Sequence, residues 1–290
     1  MRTCLKMTCK TCKAFVVCDE NYINPAIVAL TSFLKFNRIP LRVYLQDGGD
    51  YSVLKMALRN YNVEFVSCTF PELPEHTGVH NAWSDAFFSP KSLPAFAQRI
   101  KAIEEMRNEA DLIINLDLDT LTVGNLSPLL ERCDTCHIYG VSERENRSNW
   151  LKDLGLRDLA PMPNYFNTGM AIYGKNVLCE GLFEEYRKFL KEYGDRLFCP
   201  EQDFLNFTFA HLVRSIPVGY NLMFPERDYT NCAPVVLHFL GNSKPWSTTP
   251  PAVAKISHYF SRYYFEIYHL DTLNLLDKDF VKHCYYNSQF

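Results

Sequence analysis

Leu112-Ile113-Ile114-Asn115-Leu116-Asp117-Leu118-Asp119 is the stretch on which the fold turns. Its first five residues are apolar apart from Asn115, which reads as a central strand buried on both faces. Two carboxylates follow at once. In an open α/β sheet, ligands sit beyond the carboxyl ends of the strands. Asp117 and Asp119 therefore stand where a divalent cation can be held against a diphosphate. An Asp-x-Asp pair after a strand is by itself also compatible with a solvated acidic turn.

Working outward, a helix over about 92–107 places Phe96, Ile100 and Ile103 on one face and feeds this strand. At the start of the chain, Ala14-Phe15-Val16-Val17-Cys18 reads as a strand ending in Asp19-Glu20-Asn21-Tyr22. Asn24-Pro25 reads as a helix start, with Asn as cap and Pro in the first helical position. Ile27, Leu30 and Leu34 follow at helical spacing. A strand over 41–45, a helix near 52–60 and a strand near 63–66 complete a β-α-β-α-β series, the signature of an α/β sheet with helices packed on it. Downstream, strands are expected at 137–141, 165–173, 215–218 and 235–239, and helices at 177–193 and 203–212. Residues 142–163 are polar and read as a loop of the kind that forms lids or binding surfaces.

The 290 residues carry 30 Lys+Arg against 33 Asp+Glu, a formal net charge of −3. That balance argues against a protein gripping nucleic acid through phosphate charge. With 47% apolar and 22% charged residues, the composition is that of a globular protein and excludes disorder and fibrous repeats. No run approaches the roughly 20 apolar residues of a membrane span. The start lacks a secretory apolar core, so the expected location is cytoplasmic. The organisation reads as a basic, poorly ordered leader (1–13), one α/β domain (14–249) and an aromatic-rich C-terminal extension (250–290). In that extension Ile256, Tyr259, Phe260, Tyr263, Tyr264 and Ile267 form a broad apolar helical face bordered by Lys255, His258 and Arg262. Such a helix either docks on the sheet or lies peripherally on the cytoplasmic face of a membrane. Among eleven cysteines, Cys9/Cys12 and Cys133/Cys136 have the spacing of structural zinc ligands, the alternative being buried thiols.

A second polar constellation is His238-Phe239-Leu240-Gly241-Asn242-Ser243-Lys244-Pro245-Trp246. His238 can complete the ligands of the carboxylate pair, and the mixed oxygen/nitrogen set suits Mn²⁺ somewhat better than Mg²⁺. Gly241 permits close backbone approach to a phosphate and Lys244 can neutralise it. Between the two lie Asn164-Tyr165-Phe166-Asn167-Thr168-Gly169 and Pro200-Glu201-Gln202-Asp203-Phe204-Leu205-Asn206, which on their own read as a turn and a helix N-terminus.

Taken in order, Asp19-Glu20-Asn21-Tyr22, Asp117-Leu118-Asp119, Phe166-Asn167-Thr168-Gly169, Glu201-Gln202-Asp203 and His238-x-x-Gly241-x-x-Lys244-Pro245-Trp246 resemble glycosyltransferase family 8. That family contains glycogenin and the bacterial lipopolysaccharide glucosyl- and galactosyltransferases. The resemblance spans residues 14–246. It implies a GT-A fold, a Rossmann-like mixed sheet with helices on both faces, and transfer of a hexose with retention from UDP-glucose or UDP-galactose to a glycan, glycolipid or protein acceptor. It also implies roles. Asp19, Asn21 and Tyr22 would meet the uridine, while Asp117, Asp119 and His238 would hold the metal. Gly241 and Lys244 would contact the phosphates, and Arg99 would stand near the diphosphate and donor sugar. Asn167 and Thr168 would line the hexose, while Glu201, Gln202 and Asp203 would border the reacting carbon. Glu201 replaces the commoner Asp of the family, and the acidic residue expected near the acceptor is either Glu143 or Glu145. A catalytically inactive scaffold that binds a nucleotide-sugar or glycan is the competing reading. A sugar-nucleotide-forming nucleotidyltransferase is disfavoured, because no Gly-rich phosphate loop follows the first strand.

Overall fold

The computed structural model describes residues 10–73, 93–143, 165–194, 197, 199–224, 232–241, 244–247, 257–270 and 273–289. Cys9, Glu145 and most of the expected 142–163 loop lie outside them. The chain opens with β1 (Cys12–Cys18), α1 (Ile23–Phe36), β2 (Leu41–Gln46), α2 (Ser52–Ala57) and β3 (Val63–Cys68). Then come α3 (Leu93–Met106), β4 (Leu112–Leu116), β5 (Thr120–Thr122), α4 (Ser127–Leu130), β6 (Ile138–Ser142) and β7 (Phe166–Gly174). The remainder forms α5 (Leu182–Tyr193), α6 (Pro200–Phe209), β8 (Val213–Ser215), β9 (Leu222–Phe224), β10 (Val236–Phe239), α7 (Ser257–Tyr268) and α8 (Lys278–Asn287).

Seven strands form the central sheet in the order β3-β2-β1-β4-β7-β6-β8. β1, β2, β3 and β4 run parallel, whereas β7 runs antiparallel to both β4 and β6. The chain winds outward from β1 to β3 and then returns to place β4 on the other side of β1. The carboxyl ends of β1 and β4 thus flank the point where strand order reverses. A three-stranded sheet, β5-β10-β9, stands beyond β4.

Alternation along β1 divides the interior in two. Ala14 and Val16 join the core under α1, whereas Phe15 faces the core under α3, α5 and α6. β4 is buried at all five positions, as its sequence requires. Its one polar side chain, Asn115, donates from Nδ2 to Thr168 O at 2.6 Å across the β4/β7 pair. The apolar face of α7 docks on the first core through Phe260, Tyr263 and Ile267, with Phe239 edge-on and Trp246 tilted against the Tyr263 ring.

Several local expectations need correction. β1 begins at Cys12, inside the stretch assigned to the leader, because its backbone pairs with Leu112 of β4. Asn24 does not cap α1: the helix starts at Ile23 without a side-chain cap, and Asn24 Oδ1 accepts instead from Asp277 N at the start of α8. Pro25 then sits in the first turn, where its missing N–H costs nothing. Positive φ at Gly181 (83°) breaks the chain before α5, so this helix starts at Leu182 rather than 177. The expected helix over 203–212 begins earlier, at Pro200 in the first helical position, and ends at Phe209. The expected strand over 215–218 is the short β8 at Val213–Ser215, and Pro217 introduces a 3-10 turn over Val218–Tyr220.

Candidate functional site

The chain turns sharply after β4. Asp117 N donates to Gly169 O at 2.7 Å, and Thr120 Oγ1 donates to Asp117 O at 2.6 Å. β5 then pairs antiparallel with β10, placing Thr120 opposite His238. This brings His238 Nε2 to 3.2 Å from Asp119 Oδ1 and 3.6 Å from Asp117 Oδ2. One ligand atom from each of the three side chains lies within 4.8 Å of the others. His238 is only 2% exposed. Asp119 Oδ1 is buried, and His238 Nε2, 3.2 Å away, does not make a well-aligned hydrogen bond to it. A buried carboxylate oxygen left without a donor is costly, and a cation between it and the imidazole would satisfy it. The donor set of two carboxylates and one imidazole therefore fits a divalent ion of the Mn²⁺ or Mg²⁺ kind.

Two fixed cations border the cluster. Lys244 Nζ donates to Asp119 Oδ2 and to Phe239 O. Arg99 spans two carboxylates, with Nη2 on Asp117 Oδ1 and Nη1 on Glu201 Oε2 at 2.6 Å. Burial would raise the Asp119 carboxyl, but Lys244 and His238 outweigh it and hold it well below the usual range. Glu201 goes the other way. Burial, assisted by the charge of Asp117, pushes its carboxyl up to about 7 despite the Arg99 contact. The Tyr22 phenol is pushed up by burial and then by the charges of Asp119, Asp117 and Asp19. Asp19 Oδ1 accepts from Asn21 N at 2.9 Å, which fixes the turn after β1, while Asn21 itself is exposed.

The start of β7 and the first turn of α6 form the neighbouring wall. Asn206 ties them together, accepting from Phe166 N and donating to Phe166 O, both at 2.8 Å. Thr168 N donates to Gln202 Oε1 at 3.1 Å. This leaves Gln202 Nε2 to donate to Glu143 Oε1 at 2.7 Å and to Tyr165 Oη at 3.2 Å. Asn167 Nδ2 also reaches Glu143 Oε1, at 3.2 Å. Asp203 accepts from Tyr165 Oη at 2.6 Å and from Cys199 N at 2.9 Å. It is fully buried; Oδ2 anchors the start of α6 at Cys199 N, the placement that the helix-N-terminus reading anticipates, and Oδ1 ties that start to Tyr165. Gly241 adopts φ of +54° between β10 and Lys244.

The fold thus gathers Asp117, Asp119, His238, Lys244, Arg99, Glu201 and Tyr22 around one centre, with Asn167, Thr168 and Gln202 beside it. Glu143 contacts this wall, and Glu145 lies outside the described residues. Sequence reasoning gave Tyr165 no role and missed Asn221, because their partners come from distant segments and leave no local pattern. Of the four cysteines at zinc-ligand spacing, Cys9 lies outside the described residues, Cys12 is half-buried, Cys133 is buried and Cys136 is exposed. Among the described residues the one group able to hold a metal is Asp117, Asp119 and His238.

A family model described as Glycosyl transferase family 8 matches residues 13–249. The chain belongs to that family. Galactinol synthase 5 of Arabidopsis thaliana is 34% identical over 93 residues, 30% of this chain and 27% of that protein. The chain thus aligns with only about a quarter of that relative's length. Lipopolysaccharide 1,2-glucosyltransferase of Escherichia coli is 24% identical over 252 residues, 79% of this chain and 71% of that protein. The crystal structure of galactosyltransferase LgtC in complex with donor and acceptor sugar analogs superposes with a TM-score of 0.68. It covers 94% of this chain and all of the other at 19% identity, which establishes the GT-A fold. No helix among the described residues of this family 8 member is long and apolar enough to cross a membrane.

Proposed function

We propose that this protein is a metal-dependent, retaining hexosyltransferase that moves glucose or galactose from a UDP-sugar to a saccharide-containing acceptor. The observation that carries the reading is the convergence of Asp117, Asp119 and His238 at the sheet's switch point, flanked by Lys244 and Arg99. Family membership and the hexose-transferring relatives support it. The catalytic unit would be residues 14–249, acting in the cytoplasm, with 250–290 as an appended aromatic element.

Breaking the bond to the anomeric carbon leaves negative charge on UDP. A divalent cation on Asp117, Asp119 and His238 would supply electrostatic stabilisation of that leaving group. Lys244 adds a second positive charge from the same side, already in place before the bond breaks. Tyr22 offers an aromatic face to the uracil, and Asp19 and Asn21 offer polar groups to the uridine. Gly241 lets the main chain come close to a phosphate. Asn167, Thr168 and Glu201 read sugar hydroxyls, and Arg99 fixes Glu201 against Asp117. Gln202 has its amide oriented from both ends, by Thr168 N and by Glu143. Such an amide positions the sugar and stabilises developing positive charge at the anomeric carbon. Asp203 supports it through Tyr165.

The test is UDP release from a panel of nucleotide sugars with Mn²⁺ or with EDTA, for wild type and Asp119→Ala. The expected result is slow turnover of one UDP-hexose that needs Mn²⁺ and is lost in the variant. Absence of both turnover and Mn²⁺-dependent UDP binding would instead establish a non-catalytic scaffold.

A further inference from the structure

Asn221 lies between the end of the 3-10 turn and β9 and is fully buried. No motif marks it. Its contacts fix the protonation pattern of the site by a chain of donors that starts at a main-chain N–H, which can only donate. Gly169 N donates to Asn167 Oδ1 at 2.9 Å, so that atom is an oxygen and an acceptor. The Asn221 atom 2.9 Å from the same oxygen is therefore the amide nitrogen Nδ2. The other end of the amide, Oδ1, is then the atom 3.0 Å from His238 Nδ1. An amide oxygen only accepts, so His238 Nδ1 carries a hydrogen. Nε2, the nitrogen turned toward Asp117 and Asp119, is then the one that can be a ligand once a cation displaces any proton it shares with those carboxylates.

A Cβ built on Gly169 would lie 2.0 Å from His238 Cε1 and 2.5 Å from Nδ1, so the imidazole is packed directly on the backbone that begins the chain of donors.

We propose that Asn221 is a positioning residue that fixes the His238 tautomer for metal ligation and couples it, through Asn167, to the sugar-facing wall. The inference rests on the metal-dependent reading given above. The coupling is specific in direction. The carbonyl end of Asn221 serves the metal ligand, and its amino end serves Asn167, which in turn reaches Glu143. One side chain thereby carries two functions that separate substitutions can divide. Partners of this kind on a ligating histidine are typically worth about 10–100-fold in metal affinity.

Three measurements on the full chain test it. Mn²⁺ affinity is read from the loss of the free-ion EPR signal for wild type, Asn221→Ala and Asn221→Asp. Asn221→Ala should weaken Mn²⁺ binding by about 10–100-fold. Asn221→Asp keeps an acceptor for Nδ1–H but has no amino group for Asn167. It should bind Mn²⁺ more tightly than Asn221→Ala and close to wild type, because the outer-shell acceptor is kept, while raising KM for the UDP-sugar. Independently of any variant, ¹⁵N imidazole spectra of the wild type with Mg²⁺, assigned with His238→Gln, should show Nδ1 protonated. An Nε2–H pattern, or unaltered Mn²⁺ affinity in folded Asn221→Ala, overturns the proposal. If the variants do not fold, the wild-type spectrum decides. A wild type that binds no Mn²⁺ refutes the metal-dependent reading itself, which separates the two failures.

Discussion

Replacing Glu201 by Gln should change how stability depends on pH, in a direction that the geometry dictates. Glu201 is 3% exposed. One oxygen pairs with Arg99 at 2.6 Å, and the other is buried without a donor among the described residues. Arg99 is shared with Asp117, so its charge is divided between two carboxylates. Burial therefore wins, and the folded-state carboxyl rises from an ordinary 4.5 to about 7. A carboxyl raised on folding stabilises the native state while both forms are protonated. That stability is fully present below the unfolded value and is lost as pH rises through the folded one.

Between those two values the native state holds one more proton than the unfolded chain. Stability then falls by about 1.4 kcal/mol per pH unit, a loss on the order of 3 kcal/mol over the whole interval. Glutamine can still accept from Arg99 but does not titrate, so the variant lacks this loss. Urea unfolding of wild type and Glu201→Gln in EDTA, from about pH 5 to pH 8, measures the difference directly. Wild type should lose stability relative to the variant as pH rises. Parallel profiles, or a wild type that gains on the variant with rising pH, would refute the burial argument.

Two further outcomes follow from the same geometry. Tyr165→Phe removes the donor to Asp203 Oδ1 and one partner of Gln202 Nε2; it should cost about 1–3 kcal/mol in thermal or urea unfolding and lower kcat more than it raises KM for the donor. Phe265, Tyr268, Tyr285 and Tyr286 are 53%, 62%, 44% and 53% exposed on α7 and α8 while the opposite face of α7 is docked, so changing all four to Ser should leave turnover unchanged and reduce co-sedimentation with anionic liposomes if this surface contacts a membrane; unchanged co-sedimentation excludes that surface.

The frame of the fold was legible because its strands are short apolar runs bounded by polar residues. The stretches at 14–18 and 112–116 carry that pattern, 41–45 shows the alternation of a strand instead, and burial of all five β4 positions is the structural counterpart. Elements set by tertiary contact were not legible. β5 and β9 have three residues each, too few to show any period, yet they hold β10 and thereby aim His238 at the carboxylates. Asn24 has the chemistry of a helix cap but serves the start of α8, 253 residues away along the chain, a choice no local propensity encodes. The site residues stood out through their order along the chain, whereas the side chains that orient them, Tyr165 and Asn221, did not.

What separates the two groups is where their hydrogen-bond partners come from. Asp117 and Asp119 follow a recognisable strand, so position alone nominates them. Tyr165 and Asn221 act on side chains that main-chain N–H groups of β7 already hold: Gly169 N fixes Asn167, Thr168 N fixes Gln202, and Phe166 N fixes Asn206. Each N–H can only donate, so each assigns one amide end without freedom to flip. The antiparallel reversal at β7 is what turns these donors toward the end of β4. A parallel strand at that position would bring its opposite end to the switch point. The strand reversal thus puts the groups that would hold a sugar beside those that would hold a metal, and the two are oriented through one continuous set of amides before any ligand arrives.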